Sequence, residues 1–157
     1  MNINKYINNH DEYECINYIN NTNDLIIQND TLILVCSKEM SNLAELSINK
    51  FGKLCIPEQK NTDNNTALIY ACKNYMTTTA ELLINKFGEL CIPQQISYSH
   101  DTSLIMACEN NMNNIAELLI NKFGELCMPQ QINDFKNNSL ILACKNDRKS
   151  TRLNSSH

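Results

Sequence analysis

The sequence has no tryptophan, and glycine and proline occur only three times each in 157 residues. That is too little turn chemistry for a sandwich or barrel of many short strands. No apolar run approaches the ~18 residues of a membrane span. Met1 to Ile7 is polar and lacks the apolar segment of a secretory signal. Charge of positive sign is also short: the net charge is −4, whereas a phosphate-binding surface is basic. Neither a nucleic-acid partner nor a membrane is expected. No two glycines lie close enough for a phosphate-binding loop. The eight cysteines include no CxxC pair, and no Cys/His pair has metal-ligand spacing, so neither zinc nor another cofactor is expected. No histidine stands beside a serine or cysteine in a nucleophile motif. No catalytic constellation is therefore visible, and no small-molecule substrate is expected. Apolar residues at 43% and charged residues at 19% are enough for one packed domain or a short array.

Arginine is missing from residues 1–146 and occurs only at Arg148 and Arg152. The last eleven residues, DRKSTRLNSSH, resemble an in-frame translation of a short-read sequencing adapter. Residues 147–157 are accordingly expected to be a non-native tail, with the natural frame continuing past about residue 146. Without that tail's three basic residues and one acid, 10 basic and 16 acidic residues remain, a balance near −6.

The rest repeats with a period of 36. Leu32, Leu68, Leu104 and Leu140 keep this step, as do Cys36, Cys72, Cys108 and Cys144. So do Phe51, Phe87 and Phe123, and Cys55, Cys91 and Cys127. Every glycine (Gly52, Gly88, Gly124) and every proline (Pro57, Pro93, Pro129) is a repeat marker. Units 68–103 and 104–139 share 23 of 36 residues. A fixed period of this size means a solenoid, each unit burying its apolar face on its neighbours.

Within the middle unit, Thr66 is placed to N-cap a short helix running to about Asn74. Thr77 and Thr78 start a second, in which Ala80, Leu83, Ile84 and Phe87 form one helical stripe widened by Leu82. Gly88 is expected as a left-handed C-cap, and a long loop completes the unit, polar from Pro93 to Asp101. Glu45, Glu81 and Glu117 are expected at the start of the second helices, where acids suit the helix dipole.

The unit resembles the ankyrin repeat. The family's T-P-L-H-x-A opening is similar to Thr66-Ala67-Leu68-Ile69-Tyr70-Ala71 and Thr102-Ser103-Leu104-Ile105-Met106-Ala107. Weaker copies start at Asp30 and Asn138. Ala80-Glu81-Leu82-Leu83-Ile84 and Ala116-Glu117-Leu118-Leu119-Ile120 resemble the second-helix signature. The Pro and His of the opening are missing, and Asn64, His100 and Lys136 stand where the hairpin tip usually has Gly. The three residues beyond the family's usual 33 fall around Phe87 to Gln94. The ACxNxM run and the NKFGELC linker resemble those of ankyrin proteins of giant amoeba-infecting viruses. The expected fold is thus all-α, an ankyrin-type helix-turn-helix solenoid. Its parts are a capping unit at 1–30, repeats at 31–65, 66–101 and 102–137, and a truncated repeat at 138–146. The capping unit should have one helix from Asp11 to Ile19, with Tyr13, Cys15, Ile16, Tyr18 and Ile19 as its apolar positions, and a loop from Asn20 to Asp30; the alternative is a flexible leader. The truncated repeat should have only its first helix, Ser139 to about Asn146. Leu140 to Ala143 should lack a partner helix, making the chain less stable and more self-associating.

What the resemblance implies is a non-catalytic scaffold for protein–protein interaction. Its partner would be a protein of the host cell, met in the host cytoplasm, if the chain is viral. The second helix and linker hardly vary between units, whereas no position of the tips at 60–63, 96–99 and 132–135 is the same in all three. Recognition is therefore expected at tips and first helices, through Tyr70, Tyr98, His100, Met106, Asp134 and Phe135. The alternative is an accessory array of a larger protein, with an enzymatic or degradation-adaptor domain after residue 146. The cysteines are read as small buried hydrophobes. Those in stacked first helices should sit one helix-packing distance apart, roughly 8–10 Å, beyond disulfide reach of about 7 Å.

Overall fold

A computed structural model describes residues 3–21, 31–55, 57–91 and 95–154, with the side chains of 53 and 148–154 excepted. Among the described residues there is no strand. The helices are α1 (Ile3–Asn8), α2 (Glu12–Asn21), α3 (Thr31–Ser37), α4 (Ser41–Phe51), α5 (Ala67–Lys73), α6 (Thr77–Phe87), α7 (Ser103–Glu109), α8 (Asn113–Phe123) and α9 (Ser139–Asn154). They pair as hairpins, and the hairpins stack. First helices α1, α3, α5, α7 and α9 form one layer, and second helices α2, α4, α6 and α8 form the other.

Local chemistry explains each boundary. Thr66 and Thr102 are extended, and their hydroxyls accept the amides of Ile69 and Ile105. Each thus satisfies a donor that the first turn leaves without a partner. Glu39, Tyr75 and Asn111 turn the chain between helices at positive φ. The methionines that follow, Met40, Met76 and Met112, are buried at 4–6% exposure and plug the hairpin. The core runs the length of the stack through Leu68, Ile69, Leu83 and Ile84 and their counterparts.

Several expectations are corrected. Gly88 has φ +56 and ψ −128, not the left-handed helical geometry of the usual C-cap. That region admits essentially glycine alone. It opens a 3-10 turn, Gly88–Cys91, where loop was expected, and Gly52–Cys55 and Gly124–Cys127 repeat it. In the middle turn the Cys91 thiol donates to the Leu83 and Gly88 carbonyls, both at 3.2 Å. The surplus of the long repeat is therefore built into a turn pinned by its own cysteine. Glu45, Glu81 and Glu117 lie beyond the first turn of their helices, where the dipole argument no longer applies.

The N-terminal unit is a complete hairpin rather than a single helix. Ile3 and Ile7 of α1 are buried, and His10, at φ +56, makes the turn that Glu39 makes in the next unit. Asp11 accepts the Glu14 amide to cap α2. Tyr13, expected on the apolar face, is 76% exposed. Of the loop expected from Asn20 to Asp30, residues 22–30 lie outside the described residues, as does Pro93. At the other end α9 continues to Asn154 instead of stopping near Asn146.

Candidate functional site: the ledge of loop tips

The tips are short turns built alike. Asn61, Ser97 and Asn133 open them, and their side-chain oxygens accept amides two and four residues on, or four in the case of Ser97. Local bonding of this kind favours turns over helix. Asn64, His100 and Lys136 adopt φ +58 to +60, the conformation that glycine usually supplies at such a tip. Neighbouring tips are then joined edge to edge. Tyr98 N donates to Asp63 O at 3.0 Å, and Asp134 N donates to Ser99 O at 3.1 Å. Asn133 Nδ2 donates to Asp101 Oδ1 at 2.8 Å. Three separate loops become one ledge.

On this ledge Tyr98 is 66% and Phe135 77% exposed. His100 Nδ1 and Asp134 Oδ1 are 2.7 Å apart and well exposed. Two of the expected recognition residues thus engage each other across adjacent units. Tyr70 is half-buried, and its hydroxyl accepts a hydrogen bond from Asn61 Nδ2 at 3.1 Å. Met106 departs from the expectation of an available side chain: it is buried, at 5% exposure, among the first helices. A cleft of about 230 Å³ lies between ledge and first helices, with Asp63, Tyr70, Lys73, Tyr98, Asp101 and Met106 on its walls. Lys73, Asp63 and Asp101 escaped selection as individual site residues. The variability of residues 60–63 between units was the available signal for Asp63.

Seven cysteines are buried and all eight are free; Cys144 alone is exposed. Its position on the last first helix leaves it without the neighbour that covers Cys36, Cys72 and Cys108. Burial pushes the Cys36 and Cys91 thiols up to about 12, and those of Cys15, Cys55 and Cys108 to about 11. A nucleophilic cysteine needs the opposite shift. Among the described residues no cluster of three or more His, Cys, Asp or Glu could hold a metal. None of the described helices is long and apolar enough to cross a membrane.

Residues 32–125 match the family model for ankyrin repeats in three copies. The chain belongs to the ankyrin repeat family. Repeats of this family are in general protein–protein interaction modules and typically non-catalytic. Solved structures agree on the fold. A chain in the crystal structure of the yeast ribosomal protein Rps3 in complex with its chaperone Yar1 superposes with TM-score 0.61 at 16% identity. That match covers 78% of this chain and 86% of that one. The ankyrin repeat protein EF0377 superposes with TM-score 0.64 at 16% identity, covering 90% of this chain and 70% of that one. No curated protein matches the sequence.

Proposed function

We propose that this ankyrin array is a non-catalytic scaffold that grips a partner protein with its tip ledge and first-helix face. The observation that carries this reading is the ledge itself. Backbone bonds hold the tips rigid, yet they present large aromatics to solvent at positions that differ from unit to unit. Interface hot spots are enriched in such residues, and a rigid platform loses little entropy on binding. Tyr98, Phe135, the His100–Asp134 pair and Tyr70 form the contact surface, with Met106 as the buried floor of the cleft. A chain from a ribosomal protein–chaperone complex stands among the similar folds, which is compatible with a protein partner. If the gene is viral, the partner belongs to the host and the meeting place is the host cytoplasm.

The test separates binding from folding. Replacing Tyr98 and Phe135 together by Ala should leave helical circular dichroism and melting almost unchanged, because both side chains are exposed. Binding to a partner isolated with the wild-type chain should weaken by more than ~2 kcal/mol, about 30-fold. Leu83→Ala or Leu119→Ala, both at fully buried positions, should instead cost about 2–5 kcal/mol of stability. Unchanged affinity of the folded double variant removes the ledge as the reading surface.

A further inference from the structure

Each second helix packs on two neighbours, the preceding second helix and the first helix of its own hairpin. Thus α4 lies on α2 and α3, α6 on α4 and α5, and α8 on α6 and α7. The helices that do this end alike. α6 and α8 share Ala-Glu-Leu-Leu-Ile-Asn-Lys-Phe, and α4 differs only by Ser47 at the second leucine. Their lysine crosses the joint. Lys86 donates to Asn49 Oδ1, and Lys122 donates to the Ile84 carbonyl at 3.1 Å and to Asn85 Oδ1 at 3.2 Å. Between α8 and α9 the same groove is open. It holds a cavity of about 610 Å³, with Ile120, Pro129, Ile132, Leu140 and Ala143 on its walls. Ile120, Leu140 and Ala143 are exposed, whereas Ile84, Leu104 and Ala107, their counterparts one unit earlier, are buried. Among the described residues no lysine donates to the Ile120 carbonyl or the Asn121 side chain, the counterparts of the two acceptors of Lys122. The chain does not close this groove itself: α9 runs on to Asn154, where α5 and α7 stop after seven residues and turn back. A second copy has no helix to lend, since its own α2, α4, α6 and α8 are engaged within their stack.

We propose that the groove between α8 and α9 binds a helix of another protein, one with the pattern apolar-Ala-x-x-Leu-Ile-x-Lys-Phe. The joint built at α4, α6 and α8 of this chain selects it. The apolar side chains of the incoming helix enter the groove, as Ala80, Leu83, Ile84 and Phe87 are buried in α6. Its lysine reaches back to the Ile120 carbonyl and Asn121, as Lys122 does to Ile84 and Asn85. The groove closes the end of the stack and is distinct from the tip ledge, so either can fail without the other.

The probe is a fluorescent peptide with the sequence of residues 112–124, held helical by a side-chain lactam between positions 117 and 121, because so short a helix is marginal alone. The matching positions of α6, Glu81 and Asn85, are exposed within the stack. Anisotropy titration against the full chain should show saturable binding. Leu140→Asn with Ile141→Asn in the chain should weaken it by about 10-fold or more and keep the melting temperature. Leu119→Asn in the peptide should cost about 10-fold, and Lys122→Met in the peptide about 3-fold. The Tyr98→Ala, Phe135→Ala variant should bind the peptide as wild type does. No binding, equal affinity for the Leu140, Ile141 variant, or equal affinity for the Leu119→Asn peptide overturns the proposal. Displacement of bound peptide as the chain is concentrated assigns the groove to a second copy. Codons after 146 in the natural gene that encode the same helix assign it to the chain itself. Either result overturns the proposal as well.

Discussion

The cysteines show how position in a stack sets the chemistry of one side chain. Cys36, Cys72, Cys108 and Cys144 hold the same place in their repeats, yet only Cys144 is exposed. Native protein should therefore give one thiol that reacts promptly with Ellman's reagent and seven that react only as the chain unfolds. Two or more prompt thiols would contradict the packing of the first helices. The buried thiols also bear on alkaline stability. Their ordinary value is 9.0 and the folded chain holds Cys36 and Cys91 near 12, because burial penalises the thiolate. Above pH 9 the unfolded chain releases these protons while the folded chain keeps them, so stability falls as pH rises from 9 toward 12. Below pH 9 the stabilising difference is fully present. Urea unfolding of wild type between pH 8 and pH 10.5 should show this decline, and Cys36→Ala with Cys91→Ala should make it shallower.

At the level of elements, the link between hairpins is polar as well as apolar. Asn74 Nδ2 donates to the Cys36 carbonyl at 2.9 Å. Asn110 Nδ2 donates to those of Cys72 and Lys73, both at 2.8 Å, and Asn146 Nδ2 to that of Cys108 at 2.7 Å. Each asparagine caps the end of the preceding first helix, whose last carbonyls have no partner of their own. Asn110→Ala should cost about 1–3 kcal/mol in urea unfolding, whereas the adjacent Asn111→Gly should cost less, since Asn111 has φ +55. The helix pairs were legible in sequence because their signals are periodic: a capping threonine, an apolar stripe and a glycine stop, repeated in register. The 3-10 turn was not legible, because a cysteine bonded to its own helix looks the same as any buried cysteine. Nor was α1, six residues long with only Ile3 and Ile7 buried. For the candidate site, variation between units pointed to the tips. It could not tell Met106, whose neighbours in the stack close over it, from Tyr98, which stands clear.

Over the whole molecule, the two ends differ. On the first hairpin the exposed positions include the polar Lys5, Asn8, Asn9, Asn17 and Asn20. At the other end, on α8 and α9, Leu140 is 69%, Ile120 49% and Ile141 40% exposed, while their counterparts Leu104, Ile84 and Ile105 are at 0–1%. Leu142, expected to be uncovered with them, is buried at 7%. The open face holds a cavity of about 610 Å³ bordered by Ile120, Ile132 and Leu140. Sedimentation velocity should find concentration-dependent association of this chain, abolished by Leu140→Asn with Ile141→Asn. Melting should hardly move, since exposed substitutions usually fall within about ±0.5 kcal/mol. The capping bonds have a direction. Lys50 donates to the Ile19 carbonyl and Lys122 to that of Ile84, so lysines and asparagines alike reach toward the N-terminus. A ribosome delivers the chain in that same order. Every hairpin therefore emerges with its helix ends open and is completed only when the next hairpin arrives, so that assembly of the array trails synthesis by one unit.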